Sequence, residues 1–432
     1  DGGGTQRVLT IDGTTGSSNA SSITAATVIE GLTIRNGKAS WGGGVYCNAS
    51  LYSTNPNNNQ RTCSPVFQRV RFTGNQATSG GALFLDAANN QYGTASPQLT
   101  DVVFDGNTAT SLGGAIYNLA NLYGKANPVI TNATFSGNSA VNGGAIYNTS
   151  GSQGSTQASP VITNATFVGN AIAIAASGVN GGGAIYNYGA NGTNAMRLTN
   201  VTFSGNQALG DNHFGGAIYN FGGNAKPVIV NAIFWGNEAS NATTNDVYGT
   251  TGTQITASIV QGGCPGAAAC TGVTTADPQL AAPADNGGLG QTMLPAIPGP
   301  AIDTGDAAAC PATDQRGITR PQGSGCDIGA VEIEQAPQYT LTVAVTGGGS
   351  VSGGAISGCT AGGGTCSASY TTADSVGLTA TPDTGQHFSA WGGDCSGSGA
   401  CSVTMNASHG VTALFEPDSY AVTASAGSGG GL

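Results

Sequence analysis

Residues 129–147 read VITNATFSGNSAVNGGAIY, and residues 161–170 begin the same sentence again as VITNATFVGN. The tetrad Phe-x-Gly-Asn recurs at Phe72–Asn75, Phe104–Asn107, Phe135–Asn138, Phe167–Asn170, Phe203–Asn206 and Phe234–Asn237. Successive phenylalanines are 32, 31, 32, 36 and 31 residues apart. A Gly-Gly block follows in phase at Gly80-Gly81, Gly113-Gly114, Gly143-Gly144, Gly182-Gly183 and Gly215-Gly216, with an earlier relative at Gly42-Gly43-Gly44. Two motifs recurring in phase at a near-constant period are the mark of stacked structural repeats.

Residue type and spacing give the shape of one repeat. The second residue before each Phe is Val70, Val102, Ala133, Ala165, Val201 or Ala232, on the same face of a strand as the Phe. The fifth before it is Phe67, Leu99, Ile130, Ile162, Leu198 or Ile229, apolar but out of phase. The backbone must therefore bend between them. Asn132, Asn164, Asn200 and Asn231 stand at the bend, where Asn tolerates the left-handed conformation and bonds its own backbone. Strand, bend, strand, Gly-rich turn and third strand make one coil. The expectation is an all-β chain whose residues 1–276 form a right-handed parallel β-helix.

Parallel stacking at about 4.8 Å sets like side chains over like. Phe72, Phe104, Phe135, Phe167, Phe203 and Phe234 become an internal ring stack. Asn75, Asn107, Asn138, Asn170, Asn206 and Asn237 become an amide ladder, and Asn132, Asn164, Asn200 and Asn231 a second one. Their Asn-x-Ser/Thr contexts read as ladder positions rather than glycan sites. Weaker coils extend the stack through Leu9 and Ile11, through Ile29, Leu32 and Ile34, and through Ile255 and Val260. A further column, Tyr46, Phe84, Tyr117, Tyr147, Tyr186 and Tyr219, faces away from the aliphatic residues beside it. It is either an outward stripe for sugar rings or another subunit, or a stack covered by loops. Covering by loops is the reading favoured here.

These paired Gly-Gly-Ala and Phe-x-x-Asn motifs resemble the repeats of polymorphic outer-membrane-protein-type β-helices over roughly residues 30–250. The resemblance implies a surface-displayed, adhesin-like passenger. Residues 277–334 change character, with Asp277–Leu280, Asp285–Gly288, Pro300–Gly305, Asp314–Gly317 and Cys326–Glu332. They resemble the choice-of-anchor Q module, which implies export and attachment through a separate anchor. Physically the segment is expected to cap the open end of the helix, where strand edges are unpaired. Asp303, Asp306, Asp314 and Asp327 lie close in sequence to Arg316 and Arg320, as a buried ion-pair cluster would. Calcium is the one cofactor such carboxylates would suit, but no calcium-loop motif is present, and no cofactor is expected.

Residues 335–338 read as a linker. From Tyr339 to Val345, Val376 to Ala380 and Val411 to Phe415 the residues alternate as strands do, and with Trp391–Cys395 they resemble a divergent internalin-B-type repeat. That module spans 339–417, and 418–432 reads as the start of a second copy, so further chain is expected beyond Leu432.

Composition bounds the function. Only 8% of the 432 residues are charged, the net charge is −11, and there are 11 Lys and Arg in all. Nucleic-acid binding needs clustered cations and is not expected. No apolar run approaches the ~18 residues of a membrane span. Ten cysteines fall into close pairs, Cys47/Cys63, Cys264/Cys270, Cys310/Cys326, Cys359/Cys366 and Cys395/Cys401, none with CxxC spacing. Local disulfides in an oxidising, extracellular or cell-surface location follow.

Parallel β-helices also house polysaccharide lyases and hydrolases, which need a base beside metal-holding carboxylates or a carboxylate pair at roughly 5–9.5 Å. Asp86, Asp101, Asp105, Asp211, Glu238 and Asp246 are scattered over the repeats. Asp101 and Asp105 read as a solvated pair at a bend, and His213 as an exposed loop histidine. The expectation is a non-catalytic exported bacterial protein, adhesin-like or structural, whose partners are cell-envelope or glycan surfaces or other copies of itself. The alternatives are a filament subunit and, behind it, a polysaccharide-cleaving enzyme.

Overall fold

The computed structural model describes residues 1–13, 22–50, 61–88, 93–151, 155–172, 181–241, 245–249, 251–335, 338–371 and 374–423. The chain divides into two compact units, Asp1–Glu334 and Gln335–Leu432.

The first unit is a parallel β-helix walled by three sheets. The bend sheet carries the strands Val66–Thr73, Gln98–Asp105, Val129–Ser136, Val161–Val168 and Arg197–Ser204, with shorter strands at both ends. A narrow sheet follows the Gly-Asn turn, from Lys38–Trp41 to Glu238–Ala239, and a third carries the Gly-Gly strands, from Leu9–Asp12 to Val247–Tyr248. Pairing is parallel and in register: Phe72 opposes Phe104, which opposes Phe135, then Phe167, then Phe203.

The bend is where the sequence puts it. Arg69, Asp101, Asn132, Asn164, Asn200 and Asn231 have φ between 51° and 56°. This one left-handed residue lets both Ile130 and Phe135, five apart and out of phase, turn inward and be fully buried. The Gly-Gly pair has two separate causes. Gly143 sits at φ 63°, and a Cβ on Gly144 would meet the carbonyl oxygen of Gly183 in the next coil at 2.0 Å. The first glycine serves the turn, and the second lets the coils approach.

The interior is the continuous set of columns expected. Ring centroids from Phe72 to Phe234 are 4.5–4.8 Å apart with planes within 1–7° of parallel. Stacked rings contribute about 0.5–1.5 kcal/mol per pair beyond their area burial. Leu32 departs from expectation and is 53% exposed. Its strand pair lies at the edge of the bend sheet, so no coil covers it on that side.

Residues 277–334 also take a different course from the expected end cap. They run along the flank of the bend sheet. Asp306 meets Asn231, Asp327 and Gly329 meet Asn200, Thr313 meets Asn164, Gln315 and Gln291 meet Thr134, and Leu289 O accepts from Arg71. The bend column offers a row of side-chain amides and hydroxyls, and the strap bonds several of them with its own polar groups. At the last coil it is instead Ala268, Cys270 and Val273 that pack against the core.

The second unit has one sheet ordered Ser367–Thr371, Gln338–Thr346, His409–Pro417, Gln386–Gly393. The other is ordered Gly363–Thr365, Ile356–Thr360, Gly349–Gly353, Ser375–Pro382, Cys401–Thr404. Leu341, Val351, Val376, Trp391, Val411 and Phe415 form its core.

Candidate functional site

The amide columns are internal scaffolding. Asn107, Asn138, Asn170 and Asn206 each give Nδ2 to the next Asn Oδ1 at 2.8–3.0 Å and to a Phe carbonyl oxygen of an earlier coil at 2.9–3.0 Å. Asn75 opens the ladder with Nδ2 on Asn107 Oδ1 at 2.9 Å. At the far end Asn237 Nδ2 donates to Asp246 Oδ1 at 3.0 Å. A third column, Asn118, Asn148, Asn187 and Asn220, runs inside the Gly-Gly sheet, the first three giving Nδ2 to the next Oδ1 and Asn220 giving its own to Tyr248 O at 3.1 Å. It follows the Ile-Tyr-Asn triplet that the sequence repeats at 116–118, 146–148, 185–187 and 218–220. The bend ladder is shared with the strap: Asn132 donates to Asp101 and Asn164 to Asn132, while Asn164, Asn200 and Asn231 also reach strap carbonyls.

The aromatic column is a stack from Tyr46 through Phe84, Tyr117, Tyr147 and Tyr186 to Tyr219, with successive centroids 4.8–5.6 Å apart. Phe84, Tyr117, Tyr186 and Tyr219 are buried, and Tyr46 and Tyr147 are intermediate. As an open surface stripe the column does not exist. Gly181 and Phe214 lie against Tyr219, for example. Burial pushes the phenols of Tyr117, Tyr147 and Tyr186 far above their usual range and that of Tyr219 to about 12.

Exposed rings lie at both ends of the column, Phe221 beside Tyr219 and a larger one at the N-terminal end. There Trp41, 52% exposed, packs on Tyr46 and Phe84 at centroid distances of 6.5 and 6.1 Å. Trp41, Tyr46, Asn48, Phe84, Asp86 and Tyr117 line a groove of 360 Å³. Tyr46 Oη donates to Asp86 Oδ2 at 2.7 Å, and Ala88 N–H to Asp86 Oδ1 at 3.0 Å. Burial raises the Asp86 carboxyl above its ordinary range, although these bonds oppose the shift. The Arg7 guanidinium lies 5.0 Å from the Tyr46 centroid and donates to Trp41 O at 2.8 Å and Gly42 O at 3.1 Å, fixing the backbone that carries the indole. Sequence reasoning missed Trp41. In register it heads a column continued by Ser79, Leu112 and Asn142, and a lone aromatic in a variable column was the available clue.

Most of the remaining candidates have local partners. All five cysteine pairs are bonded as their proximity indicated: Cys47–Cys63, Cys264–Cys270, Cys310–Cys326, Cys359–Cys366 and Cys395–Cys401. Asp101 accepts from Asn132 at 3.0 Å and Asp105 from Ser136 at 2.6 Å, so the two serve different columns. His213 is fully buried rather than exposed, with Nδ1 3.0 Å from Leu209 O and its ring against Gly210. The loop folds back on itself, which local sequence does not announce. The strap's ion-pair cluster is composed differently from expectation. Arg316 pairs with Asp314 and Arg320 with Glu332, each at 2.8 Å and buried. Asp327 accepts backbone N–H groups of Ile333 and Asp303, and burial lifts its carboxyl to about 6. Asp303 and Asp306 likewise bond backbone N–H groups, of Gly325 and Ala308.

Fold and columns together define a parallel β-helical repeat protein joined to a small β-rich module. Residues 101–119, 132–149 and 200–220 match the Chlamydia polymorphic membrane protein repeat, and residues 339–419 match the divergent InlB B-repeat domain. No curated protein and no solved structure matches the chain. The matched repeats point to a bacterial surface or outer-membrane protein, and the disulfides fit an extracellular one. Among the described residues no helix is long and apolar enough to cross a membrane.

Proposed function

We propose that this chain is a non-catalytic, adhesin-like component of the bacterial surface, in which a stiff β-helical body presents its flank and loops to glycan or envelope surfaces. The observation that carries this reading is the uninterrupted register of the coils, from Ile34 over Phe72 to Phe234 over Val260. Such a column resists bending because each strand inside the stack is hydrogen-bonded to the coils on both sides. The carboxylates support the non-catalytic reading by what they bond. Asp86 is held by Tyr46, Asp246 by Asn237 and Gly262, and Glu332 by Arg320. The likeness of 277–334 to the choice-of-anchor Q module rests on its own residues and belongs to the same proposal, with attachment through a separate anchor.

The test combines surface labelling of intact cells with incubation of purified protein on pectin, alginate and host glycans, with and without calcium. Labelling together with glycan binding and no released product is expected. Unsaturated or reducing-end products would replace the proposal with the enzyme reading, and fibres in negative stain with the filament reading.

A further inference from the structure

We propose that the groove at the N-terminal end of the aromatic column is a binding site for the pyranose end of a neutral glycan, with the Trp41 indole as its platform. Three observations converge on it. Between its ends the column is largely covered, yet here a large ring is half exposed beside a groove, on a surface made mostly of small polar residues. The groove mixes ring faces with Asn48 and the Asp86 carboxylate, and a sugar needs both: apolar C–H faces stack on aromatics while hydroxyls need oriented partners. The platform is also held ready, since Arg7 pins the Trp41 backbone and Asp86 pins the Tyr46 hydroxyl. A site ordered before binding loses less entropy on binding.

The geometry selects among ligands. Trp41, Tyr46 and Phe84 lie 5.6–6.5 Å apart, in contact with one another. Their planes are inclined by 34–60° and only the Trp41 ring is half exposed, so a quaternary ammonium finds no box of several open ring faces. Asp86 in the lining and the net charge of −11 disfavour uronic acids and sialic acid, and the Arg7 guanidinium nearby is taken up by Trp41 O, Gly42 O and Thr10 Oγ1. The 360 Å³ volume lies in the lower part of the range for small-molecule sites, suited to a chain end. The proposal deepens the surface-protein reading and rests on it only for where the glycan is met. Sugar binding in solution by a chain not displayed on cells would remove that reading and leave the site standing.

The experiment uses the full chain and follows intrinsic tryptophan fluorescence and calorimetry. The probes are cellotetraose, chitotetraose, mannotriose and lactose, with tetragalacturonate and choline as chemical contrasts. At least one neutral sugar is expected to bind and to perturb the indole emission. Trp41→Ala should weaken that binding about tenfold or more with an unchanged melting temperature, because the ring is surface-lying. Trp41→Phe should recover part of it, and Trp391→Phe, in the second unit, should leave it intact. Binding that survives Trp41→Ala, preference for tetragalacturonate or choline, or silence towards every neutral sugar would each overturn the proposal.

Discussion

Asn138 makes its case through its partners. Its Nδ2 donates to Phe104 O and Asn170 Oδ1, both at 2.9 Å, and its Oδ1 accepts from the backbone and side-chain nitrogens of Asn107, both at 3.0 Å. Replacing it by Ala strands Asn107 and Phe104 groups in an interior closed to water. Asn138→Ala should cost about 2–4 kcal/mol, read as a lower urea midpoint, whereas a loss below about 0.5 kcal/mol would show that the ladder tolerates a gap. Asp246 ends the same ladder, and burial lifts its carboxyl to about 6 from 3.8. The folded state therefore holds this proton more tightly than the unfolded chain. The associated stability is fully present below pH ~4 and lost as pH rises through ~6. Asp246→Asn should flatten this part of the decline between pH 4 and 7, by on the order of 2–3 kcal/mol at most. Melting temperatures across that range would show it.

The flanking strap is the element that periodicity does not describe. Gln315 Nε2 donates to Thr134 Oγ1 at 2.8 Å, and its Oε1 accepts from Thr166 Oγ1 at 2.7 Å, so one side chain ties two coils to the strap. Gln315→Ala should cost about 1–3 kcal/mol and expose 277–334 to protease before the coils are cut. Equal cleavage rates in the variant and the parent protein would count against the strap as a separately opening unit. The Arg320–Glu332 pair is buried on both sides, so Arg320→Met leaves a buried carboxylate with backbone N–H donors from Gln322 and Asp327 but no counter-charge, and should cost about 3–5 kcal/mol. The double variant Arg320→Met/Glu332→Leu should recover part of that loss, because neither charge then remains buried alone.

For the whole molecule, cohesion comes from stacked apolar and amide columns in a chain with only 8% charged residues. The two buried ion pairs of the strap are poorly screened. Thermal midpoints should therefore shift by no more than about 2 °C between low and 0.5 M sodium chloride. A large shift would mean that surface charge matters more than the columns do. Reduction should separate the two units. Cys359–Cys366 and Cys395–Cys401 staple the small second core, each contributing about 2–4 kcal/mol. The coils between Cys63 and Cys264 contain no cysteine at all. Reductant should lower the melting of the second unit, followed at Trp391, more than that of the coils.

Phe135 over Phe104 and Asn138 over Asn107 were legible from the sequence alone. Parallel in-register pairing turns a period in the chain directly into a column in space, so a local motif carries global information. The left-handed bend at Asn132 followed for the same reason, as the only way to bury Ile130 and Phe135 together. The path of 277–334 and the burial of His213 lay beyond that reach. So did the opening at Trp41. The strap meets coils 75–218 residues earlier in the chain through contacts that no repeat of its own announces. Where no period links two segments, only the folded chain decides which surfaces meet and which stay open to a ligand.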